Sequence, residues 1–274
     1  MLVNLFDNTF RHDVCSTAGA VPAHFEYVRD RAEFDGTTIF VDGFIAEPLL
    51  ASSPVKVGWL HEPPCLIPAV YQAATHWAGY FDFIITYDAE LLKLPGFKFM
   101  PYAGTWITAK NRYMHPKGAL VSMLLGSKQA TEGHRSRHIW ADAVSNLGVD
   151  FFGVRGDPVG YGPAAKMGVL GGYMFSIVGE CCRVNNLFTE ILLDCFALGT
   201  IPVFWGCPNI GRFFDARGIL SFETPDECVH VVENLSSKQY RAMFPYAIDN
   251  LHTMAEYAVA EDWMYEHILK SYQA

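Results

Sequence analysis

Residues 173–214 read YMFSIVGECCRVNNLFTEILLDCFALGTIPVFWGCPNIGRFF, and this stretch decides the fold. Its first apolar run, 173–178, has the length of a β-strand and is followed by a polar loop. A helical pattern then extends from residue 189 to 198, Gly199 ends it, and a second apolar strand covers 201–205. Strands that are apolar at every position are typical of parallel sheets covered by helices on both faces. The stretch therefore predicts a parallel α/β unit.

The same alternation of strand and helix continues on both sides of this stretch. Apolar runs of strand length lie at residues 2–6, 38–41, 55–60, 83–86, 120–124 and 151–154, and helical patterns lie at 24–31, 69–78, 134–146 and 225–232. The polar segment 108–118, TAKNRYMHPKG, is the best linker candidate. We therefore predict an N-terminal α/β domain over residues 1–110 and a C-terminal α/β domain over 118–274, with a helical tail after Ser236. Two such sheets facing a cleft suit a nucleotide ligand.

The composition excludes several classes of protein. The 274 residues are 51% hydrophobic and 18% charged, which excludes a disordered chain, a collagen-like fibre and a coiled coil. The net charge of −9 argues against nucleic acid as the main partner, because duplex binding needs a basic face. No apolar run reaches membrane-span length, the first residues lack a signal-peptide pattern, and the seven cysteines include no CxxC pair. We therefore expect a cytoplasmic protein with reduced thiols and no membrane span.

The start of the helix at residue 189 is a candidate phosphate site. A helix start presents unsatisfied backbone N–H groups and the positive end of the helix dipole, and both favour a phosphate. Glu190 in the first turn can accept hydrogen bonds from ribose hydroxyls, or it can act as a capping acid. Glu180 follows a strand directly, which places it either in an exposed turn or at a site. These patterns alone leave both alternatives open for each glutamate.

The quoted stretch resembles the donor-binding segment of glycosyltransferase family 10, the α-1,3/1,4-fucosyltransferases. That family shows a pattern of the kind FS-apolar-x-ENS, then Y-x-TEK-apolar-x-D-A, then G-T-[IV]-P-[IV]-x-W-G. The matching positions are Phe175, Ser176, Glu180, Thr189, Glu190, Asp194, Gly199, Thr200, Ile201, Pro202, Trp205 and Gly206. The resemblance extends to GHRSRHIWADA at 133–143, to VGWLHEPP at 57–64 and to FDFIITYD at 81–88.

The resemblance implies a fold, an activity and a set of site residues. The fold is GT-B-like, with two Rossmann-like parallel-sheet domains that face a cleft. The activity is inverting transfer of a sugar from a nucleotide sugar to a hydroxyl of an oligosaccharide or glycoprotein glycan. Glu62 falls on the general base, with His61 as a second candidate base, and Asp88 either contacts the acceptor or caps a helix. The donor-binding candidates are Arg137, which falls on the diphosphate-contacting arginine, Glu180, Glu190, Thr189, Lys128 and Asn186.

Three departures from the family pattern lie in the donor segment. Cys181 stands where the family has asparagine, Leu187 where it has tyrosine, and Ile191 where it has the lysine of TEK. That lysine faces the donor phosphates, so its loss removes a charged hydrogen bond of about 1.5–3 kcal/mol. The cations that can compensate are Arg137, Arg135, Lys128, Lys166 and Arg183. The donor is therefore GDP-fucose by resemblance, or a UDP-sugar such as UDP-xylose.

No metal or other cofactor is expected. The chain contains no D-x-D triplet, with which another class of glycosyltransferases holds a divalent cation, so cationic side chains and helix ends are expected to neutralise the diphosphate. His134 and His138 have helical zinc-ligand spacing, but the sequence offers no third ligand nearby. The alternative to an enzyme is a non-catalytic nucleotide-sugar or glycan-binding protein on the same scaffold. A transferase without a membrane anchor fits a bacterial or viral glycan pathway.

Overall fold

The computed structural model describes residues 1–10 and 14–272, which contain two parallel β-sheets with helices around them. The N-terminal sheet has six strands in the order β2-β1-β3-β4-β5-β6. They are β1 (Leu2–Phe6), β2 (Glu26–Arg29), β3 (Thr37–Val41), β4 (Val55–Trp59), β5 (Phe83–Thr86) and β6 (Phe97–Phe99), and helix α1 (Pro68–Trp77) lies between β4 and β5 in the chain. All these pairs are parallel, so the carboxyl ends of the strands lie along one edge of the sheet.

The C-terminal sheet has five strands in the order β11-β10-β9-β7-β8, again with parallel pairs. The strands are β7 (Ala119–Leu125), β8 (Asp150–Gly153), β9 (Tyr173–Gly179), β10 (Ile201–Trp205) and β11 (Leu220–Ser221). The helices are α2 (Glu132–Ala143), α3 (Pro163–Leu170), α4 (Glu190–Ala197), α5 (Pro225–Glu233), α6 (Ser237–Met254) and α7 (Ala260–His267). Strand, helix and strand alternate from β7 to β10, as the deciding stretch predicts.

Helices cover both faces of the C-terminal sheet, which confirms the interpretation of its continuously apolar strands. All five residues of β10 are buried. Val203 and Trp205 belong to one hydrophobic cluster, where the Trp205 ring lies 5.3 Å from the ring of Trp140 in α2. Phe204 points the other way, into a second cluster that contains Phe196 of α4. Successive strand residues therefore pack against opposite helical layers.

Several elements differ from the sequence prediction. Residues 24–31, which the pattern predicts to be helical, contain the half-buried strand β2 at the edge of the N-terminal sheet. Tyr27 lies opposite Val3 of β1, so long-range pairing overrides the local helical pattern. Strands β6 and β11 were not predicted because they have only three and two residues. Helix α3 is also absent from the sequence prediction, and Pro163 at its first position starts it.

The compact units of the structure differ from the predicted domains 1–110 and 118–274 mainly in the tail. One unit comprises Met1–Tyr102, Asn185–Leu187 and the segment that begins at Val259, and the other comprises Ala103–Val184 and Phe188–Ala258. Polar contacts explain why α7 belongs to the N-terminal unit. Glu261 accepts a hydrogen bond from the backbone N–H of Ser16 at 2.6 Å, and Asp262 accepts one from that of Ala23 at 2.8 Å.

Helix α6 is the longest of the described helices, with 18 residues. It carries Lys238, Arg241 and Asp249 on its polar side and has Pro245 in its interior. Across residues 1–10 and 14–272, no helix combines the length and the apolar character that crossing a membrane requires.

Candidate functional site

A cavity of about 530 Å³ lies at the carboxyl edge of the C-terminal sheet. The ends of β7, β8 and β9 form part of its wall, through Leu125 and Gly126, Gly153 and Val154, and Val178 and Gly179. Arg137 of α2, Lys166 of α3 and Glu190 of α4, three charged residues, also line the cavity. Ligands of open parallel sheets bind at this edge, beyond the carboxyl ends of the strands. The cavity is therefore the candidate ligand site of the C-terminal unit.

Arg137 is held in the cavity wall by the way α2 begins. Thr131 caps the helix, since its hydroxyl accepts the N–H of His134 while the His134 ring accepts the N–H of Thr131. Gly133 brings the first turn against the next loop, and its N–H donates to the carbonyl of Cys181 at 3.0 Å. Burial lowers the pKa of Arg137, while nearby Glu180 and Cys181 oppose that shift. A guanidinium starts from so high a pKa that it stays charged at neutral pH.

Lys166 is a second cation of the cavity wall. Its Nζ lies 3.4 Å from Oδ2 of Asp194 and 5.1 Å from the ring centroid of Trp106. Burial alone would lower the pKa of Lys166, but the carboxylates of Asp194 and Glu190 outweigh it and raise that pKa. Oδ1 of Asp194 accepts hydrogen bonds from the Thr105 hydroxyl at 2.7 Å and from the N–H of Trp106 at 2.8 Å. Burial raises the pKa of Asp194, yet donors and an ammonium converge on it, so we take the pair as charged.

Glu180 and Thr189 bind to each other and do not belong to the cavity lining. Oε1 of Glu180 accepts the N–H of Thr189 at 2.9 Å, and Oε2 accepts its hydroxyl at 2.8 Å. The Thr189 hydroxyl also accepts the N–H of Ile191 at 3.3 Å and so caps α4. Burial raises the pKa of Glu180 to about 7, although the bonds from Thr189 oppose this. The two residues fix the start of α4, where Glu190 enters the cavity.

The other predicted donor-site residues lie elsewhere. Lys128 is exposed and is not part of the cavity lining. Asn186 belongs to the N-terminal unit, where its amide donates to the carbonyl of Tyr87 at 3.0 Å. Of the remaining compensating cations, Arg135 donates to the carbonyls of Gln129 and Ala130, and Arg183 pairs with Glu223. Of the predicted donor-site residues, Arg137 and Glu190 thus line the cavity. Lys166, one of the compensating cations, lines the same cavity.

Acidic residues follow four neighbouring strands at the carboxyl edge of the N-terminal sheet. They are Asp7 after β1, Asp42 after β3, Glu62 after β4 and Asp88 after β5. Asp7 and Asp88 hold turns: Asp7 accepts the N–H groups of Thr9 and Phe10, and Asp88 accepts those of Glu90 and Leu91, at 2.6–2.9 Å. The bonds of Asp88 hold the turn after β5, and the short 3₁₀-helix Leu91–Lys93 that follows begins at Glu90 without a side-chain cap. Glu62 is half-buried.

His61 is packed as a neutral ring in the N-terminal unit. Its ring stacks on that of Tyr102, with centroids 4.5 Å apart, and meets the edge of Trp59 at 4.8 Å. Burial lowers the pKa of His61 to about 4, although the charge of Asp7 opposes this. A base with so low a pKa accepts a proton poorly near neutral pH. Burial thus weakens His61 as the second candidate base.

Known structures resemble this chain in fold. No protein-family model matches the chain, and no curated protein matches it in sequence. A crystal structure of an α1,3-fucosyltransferase is 15% identical over 91% of this chain and 80% of that one, with a TM-score of 0.59. An α,α-trehalose-phosphate synthase (UDP-forming) from Burkholderia xenovorans is 10% identical over 88% and 74%, with a TM-score of 0.60. An α-glucosyltransferase in complex with UDP-glucose and DNA containing an abasic site is 10% identical over 91% and 90%, with a TM-score of 0.56.

The fold is GT-B. The two parallel-sheet Rossmann-like domains and the helical C-terminal region agree with the expectation from the sequence. Sequence identities of 10–15% establish a similarity of fold and nothing more. The roles of individual residues therefore have to be argued from their geometry in this chain.

The sequence prediction placed Lys166 only among several compensating cations and missed Asp194 and Trp106 as its partners. The segment GPAAKMGVL at 162–170 carried a usable signal, because Gly162-Pro163 starts a helix and Val169 and Leu170 anchor it to the core. A helix that starts there at the carboxyl edge of a parallel sheet brings a lysine of its first turns near the ligand edge.

Proposed function

We propose that this chain is an inverting, metal-independent glycosyltransferase that moves a sugar from a nucleotide sugar to a hydroxyl of a glycan. The observation that carries the proposal is the cavity at the carboxyl edge of the C-terminal sheet, which Arg137, Lys166 and Glu190 all line. Two cations and a carboxylate are the groups that a nucleoside diphosphate requires, for its phosphates and its ribose hydroxyls respectively. The GT-B fold, which nucleotide-sugar-dependent transferases also have, supports the same interpretation.

In the proposed site Arg137 and Lys166 neutralise the diphosphate. The guanidinium of Arg137 is suited to bind two phosphate oxygens, and its buried Nε has no acceptor among the described residues. Lys166 supplies the charge that Ile191 fails to supply at the position of the family lysine. Glu190 accepts hydrogen bonds from the ribose. Because charge on the leaving diphosphate increases in the transition state, these cations accelerate the reaction, and no metal is required in the proposed mechanism.

Glu62 is the proposed general base toward the acceptor hydroxyl. In an inverting reaction the hydroxyl oxygen forms the new bond to the anomeric carbon, the bond to the diphosphate breaks, and Glu62 takes the hydroxyl proton. Glu62 lies at the carboxyl end of β4, and the packing of His61 leaves Glu62 as the better base of the two. A positioned base of this kind contributes about 10²–10⁴-fold to the rate.

The donor is GDP-fucose or a UDP-sugar, and the acceptor is an oligosaccharide or a glycoprotein glycan. The resemblance in the deciding stretch and the α1,3-fucosyltransferase fold support a GDP-linked donor. The replacement of the family lysine by Ile191, together with the UDP-dependent proteins of the same fold, supports a UDP-linked one.

Nucleotide binding tests the donor site. Isothermal titration with GDP and with UDP is expected to give binding by one of them. Arg137→Gln and Lys166→Gln are each expected to weaken that binding by about 10–100-fold, since each removes a charged hydrogen bond. Arg135→Gln is the matched control, because Arg135 lies on the same helix but donates to backbone carbonyls outside the cavity lining. Equal affinity in all three variants would move the donor site away from this cavity.

Turnover tests the catalytic part. The release of GDP or UDP from GDP-fucose, UDP-xylose or UDP-glucose is measured with a panel of oligosaccharides, with and without EDTA. We expect product release that EDTA leaves unchanged and that Glu62→Gln reduces by about 10²–10⁴-fold at unaltered nucleotide affinity. Nucleotide binding without turnover for any donor and acceptor would instead favour the non-catalytic nucleotide-sugar-binding protein.

A further inference from the structure

The main chain of Glu62 is held at both of its polar groups. Asp42 follows β3 and Glu62 follows β4, and these strands pair in parallel with Val41 opposite Trp59. Oδ1 of Asp42 accepts the N–H of His61 at 2.7 Å and that of Glu62 at 3.2 Å, while Oδ2 lies 3.3 Å from the same Glu62 nitrogen. On the other side, the hydroxyl of Tyr71 in α1 donates to the Glu62 carbonyl at 3.0 Å. We refer to Asp42 and Tyr71 as the Glu62 clamp.

Asp42 occupies a position that is unfavourable in two ways. Its φ of 48° lies in the left-handed region, which residues other than glycine, asparagine and aspartate adopt at a cost. Its side chain is buried, and burial raises its pKa to about 7, although the N–H groups of His61 and Glu62 lower it. The charge of Glu62 raises the pKa further, and the Thr9 hydroxyl, 3.4 Å from Oδ2, lowers it only slightly. A strained backbone and a buried carboxylate persist at one residue only where the surrounding structure holds them in place, and such residues cluster at functional sites.

From this geometry we infer that Asp42 is the positioning residue for the catalytic base Glu62. The inference rests on the proposed function, which makes Glu62 the base. Asp42 is buried and holds Glu62 through hydrogen bonds to the backbone, and the charges of the two carboxylates also repel each other. It orients the first two residues after β4, so the direction in which the Glu62 side chain leaves the sheet edge depends on it. Displacement of a catalytic group by about 1 Å can reduce the rate about 10²-fold, which gives a backbone clamp a large effect on kcat.

Three substitutions of Asp42 separate its acceptor role from its backbone role. Asparagine tolerates a left-handed φ and keeps a carbonyl oxygen where Oδ1 lies, glycine tolerates that φ but has no acceptor, and alanine lacks both properties. At pH 8, where Asp42 is ionised, we expect Asp42→Asn to keep kcat within about 3-fold of the original chain. Asp42→Gly is expected to lose about 10–100-fold in kcat with the nucleotide Kd unchanged. Asp42→Ala is expected to lose at least as much and to melt at a lower temperature.

Asp30 provides the matched control. It is an exposed aspartate of the same unit with a φ of 56°, and it directly follows the edge strand β2, so Asp30→Gly makes the same backbone change away from the loop that follows β4. Its kcat is expected to equal that of the original chain. Amide hydrogen exchange of His61 and Glu62 gives a second readout that needs no substrate, and exchange is expected to accelerate in Asp42→Gly but not in Asp30→Gly.

The outcomes distinguish this inference from the proposed function. If Glu62→Gln keeps the original rate, the base assignment fails, whatever Asp42 does. If Glu62→Gln is inactive while Asp42→Gly folds and keeps its kcat, Asp42 does not position the base. If Asp42→Gly does not fold, Tyr71→Phe decides, because it removes the other half of the clamp without changing the left-handed residue. A loss of about 3–10-fold in kcat at unchanged nucleotide Kd supports the clamp, and an unchanged kcat overturns it.

Discussion

Asp42 in the N-terminal unit and Glu180 in the C-terminal unit are buried carboxylates that hold the backbone beside a candidate site residue. Asp42 accepts the N–H groups of His61 and Glu62, and Glu180 accepts the N–H and the hydroxyl of Thr189 at the start of α4. Each directly follows a strand of its parallel sheet, and burial raises each pKa to about 7. Both units therefore use a buried carboxylate to orient the neighbouring loop.

The two carboxylates differ in the distance along the chain over which they act. Glu180 binds a residue nine positions later, within the single loop that connects β9 to α4. Asp42 binds residues 19 and 20 positions later, across two neighbouring strands, and adopts a left-handed backbone to do so. A local connection of the first kind leaves a fixed spacing in the sequence. A connection of the second kind can be recognised only once the order of the strands in the sheet is known.

The largest expected effect that tests this comparison is the pH dependence of stability. Both carboxyls have a higher pKa when folded than the 3.8 and 4.5 of the free groups, so between about pH 4 and 7 the folded chain holds protons that the unfolded chain has released. His61, whose pKa burial lowers to about 4, opposes this below about pH 6.5, while the two carboxyls make the unfolding free energy fall as pH rises through this window. Each carboxyl contributes about 3 kcal/mol to that fall. Urea unfolding at pH 4.5 and pH 8 measures it.

Asp42→Asn and Glu180→Gln isolate the two contributions. Other buried acids such as Glu261, whose pKa is also raised by burial, add to the slope of the original chain but cancel in the difference between chains. Each variant is expected to show a smaller fall between pH 4.5 and 8, and the double variant a smaller one still. If neither substitution changes the fall of the unfolding free energy between pH 4.5 and 8, neither carboxyl is protonated in this window.

A smaller effect on the unfolding free energy is expected from Gly133→Ala. This substitution tests how rigidly the loop between β9 and α4, which begins at Glu180, is held. A Cβ at Gly133 would lie 2.0 Å from the carbonyl oxygen of Glu180, and backbone atoms cannot move aside as a flexible side chain does. The substitution is expected to lower the unfolding free energy by about 1–3 kcal/mol and to weaken nucleotide binding by displacing α2 with Arg137. Denaturant unfolding and titration with GDP or UDP measure the two effects.

Gly168→Ala is the control for Gly133→Ala. Gly168 lies inside α3, and an added Cβ there meets nothing within 4 Å, so alanine is expected to stabilise the chain by about 0.5–1 kcal/mol. If Gly133→Ala is as stable as Gly168→Ala, the loop of Glu180 is free to shift and does not fix the position of α2.

The sequence predicted the elements whose patterns are local. The buried strands of both sheets, the cap of α4 at Thr189 and its end at Gly199 follow from apolar runs and from cap residues that the chain itself displays. The pairing of β2 with β1 could not be predicted in this way, because residues 24–31 have a local helical pattern and only the neighbouring strand makes them a strand.

The prediction of the candidate site also succeeded only where the sequence carries a local pattern. The resemblance in the deciding stretch led to Arg137 and Glu190, which line one cavity, but it also led to Glu180 and Asn186, whose side chains bind protein groups. Sequence motifs record which residues matter and not whether a side chain faces the ligand or the protein. Asp42 carried no motif at all, since its function arises from the neighbouring positions of β3 and β4.

The smallest expected effects come from the hydroxyl groups that contact each carboxylate. Thr189→Val keeps the shape of the side chain and the N–H bond to Glu180, but removes the hydroxyl bonds to Glu180 at 2.8 Å and to the Ile191 N–H at 3.3 Å. It is expected to cost about 1–2 kcal/mol of unfolding free energy, and Thr189→Ser less than half of that.

Thr9→Val is the matching change beside Asp42, and it is expected to cost under about 0.5 kcal/mol. The Thr9 hydroxyl lies 3.4 Å from Oδ2 of Asp42, which is long for a hydrogen bond between a hydroxyl and a carboxylate, so little is lost when it is removed. The two valine variants are compared by denaturant unfolding at pH 8. Because Asp42 is held mainly by the N–H groups of His61 and Glu62, Thr9→Val must lower the unfolding free energy less than Thr189→Val does. A larger loss at position 9 than at position 189 would mean that the Thr9 hydroxyl, and not the loop after β4, is the main partner of Asp42.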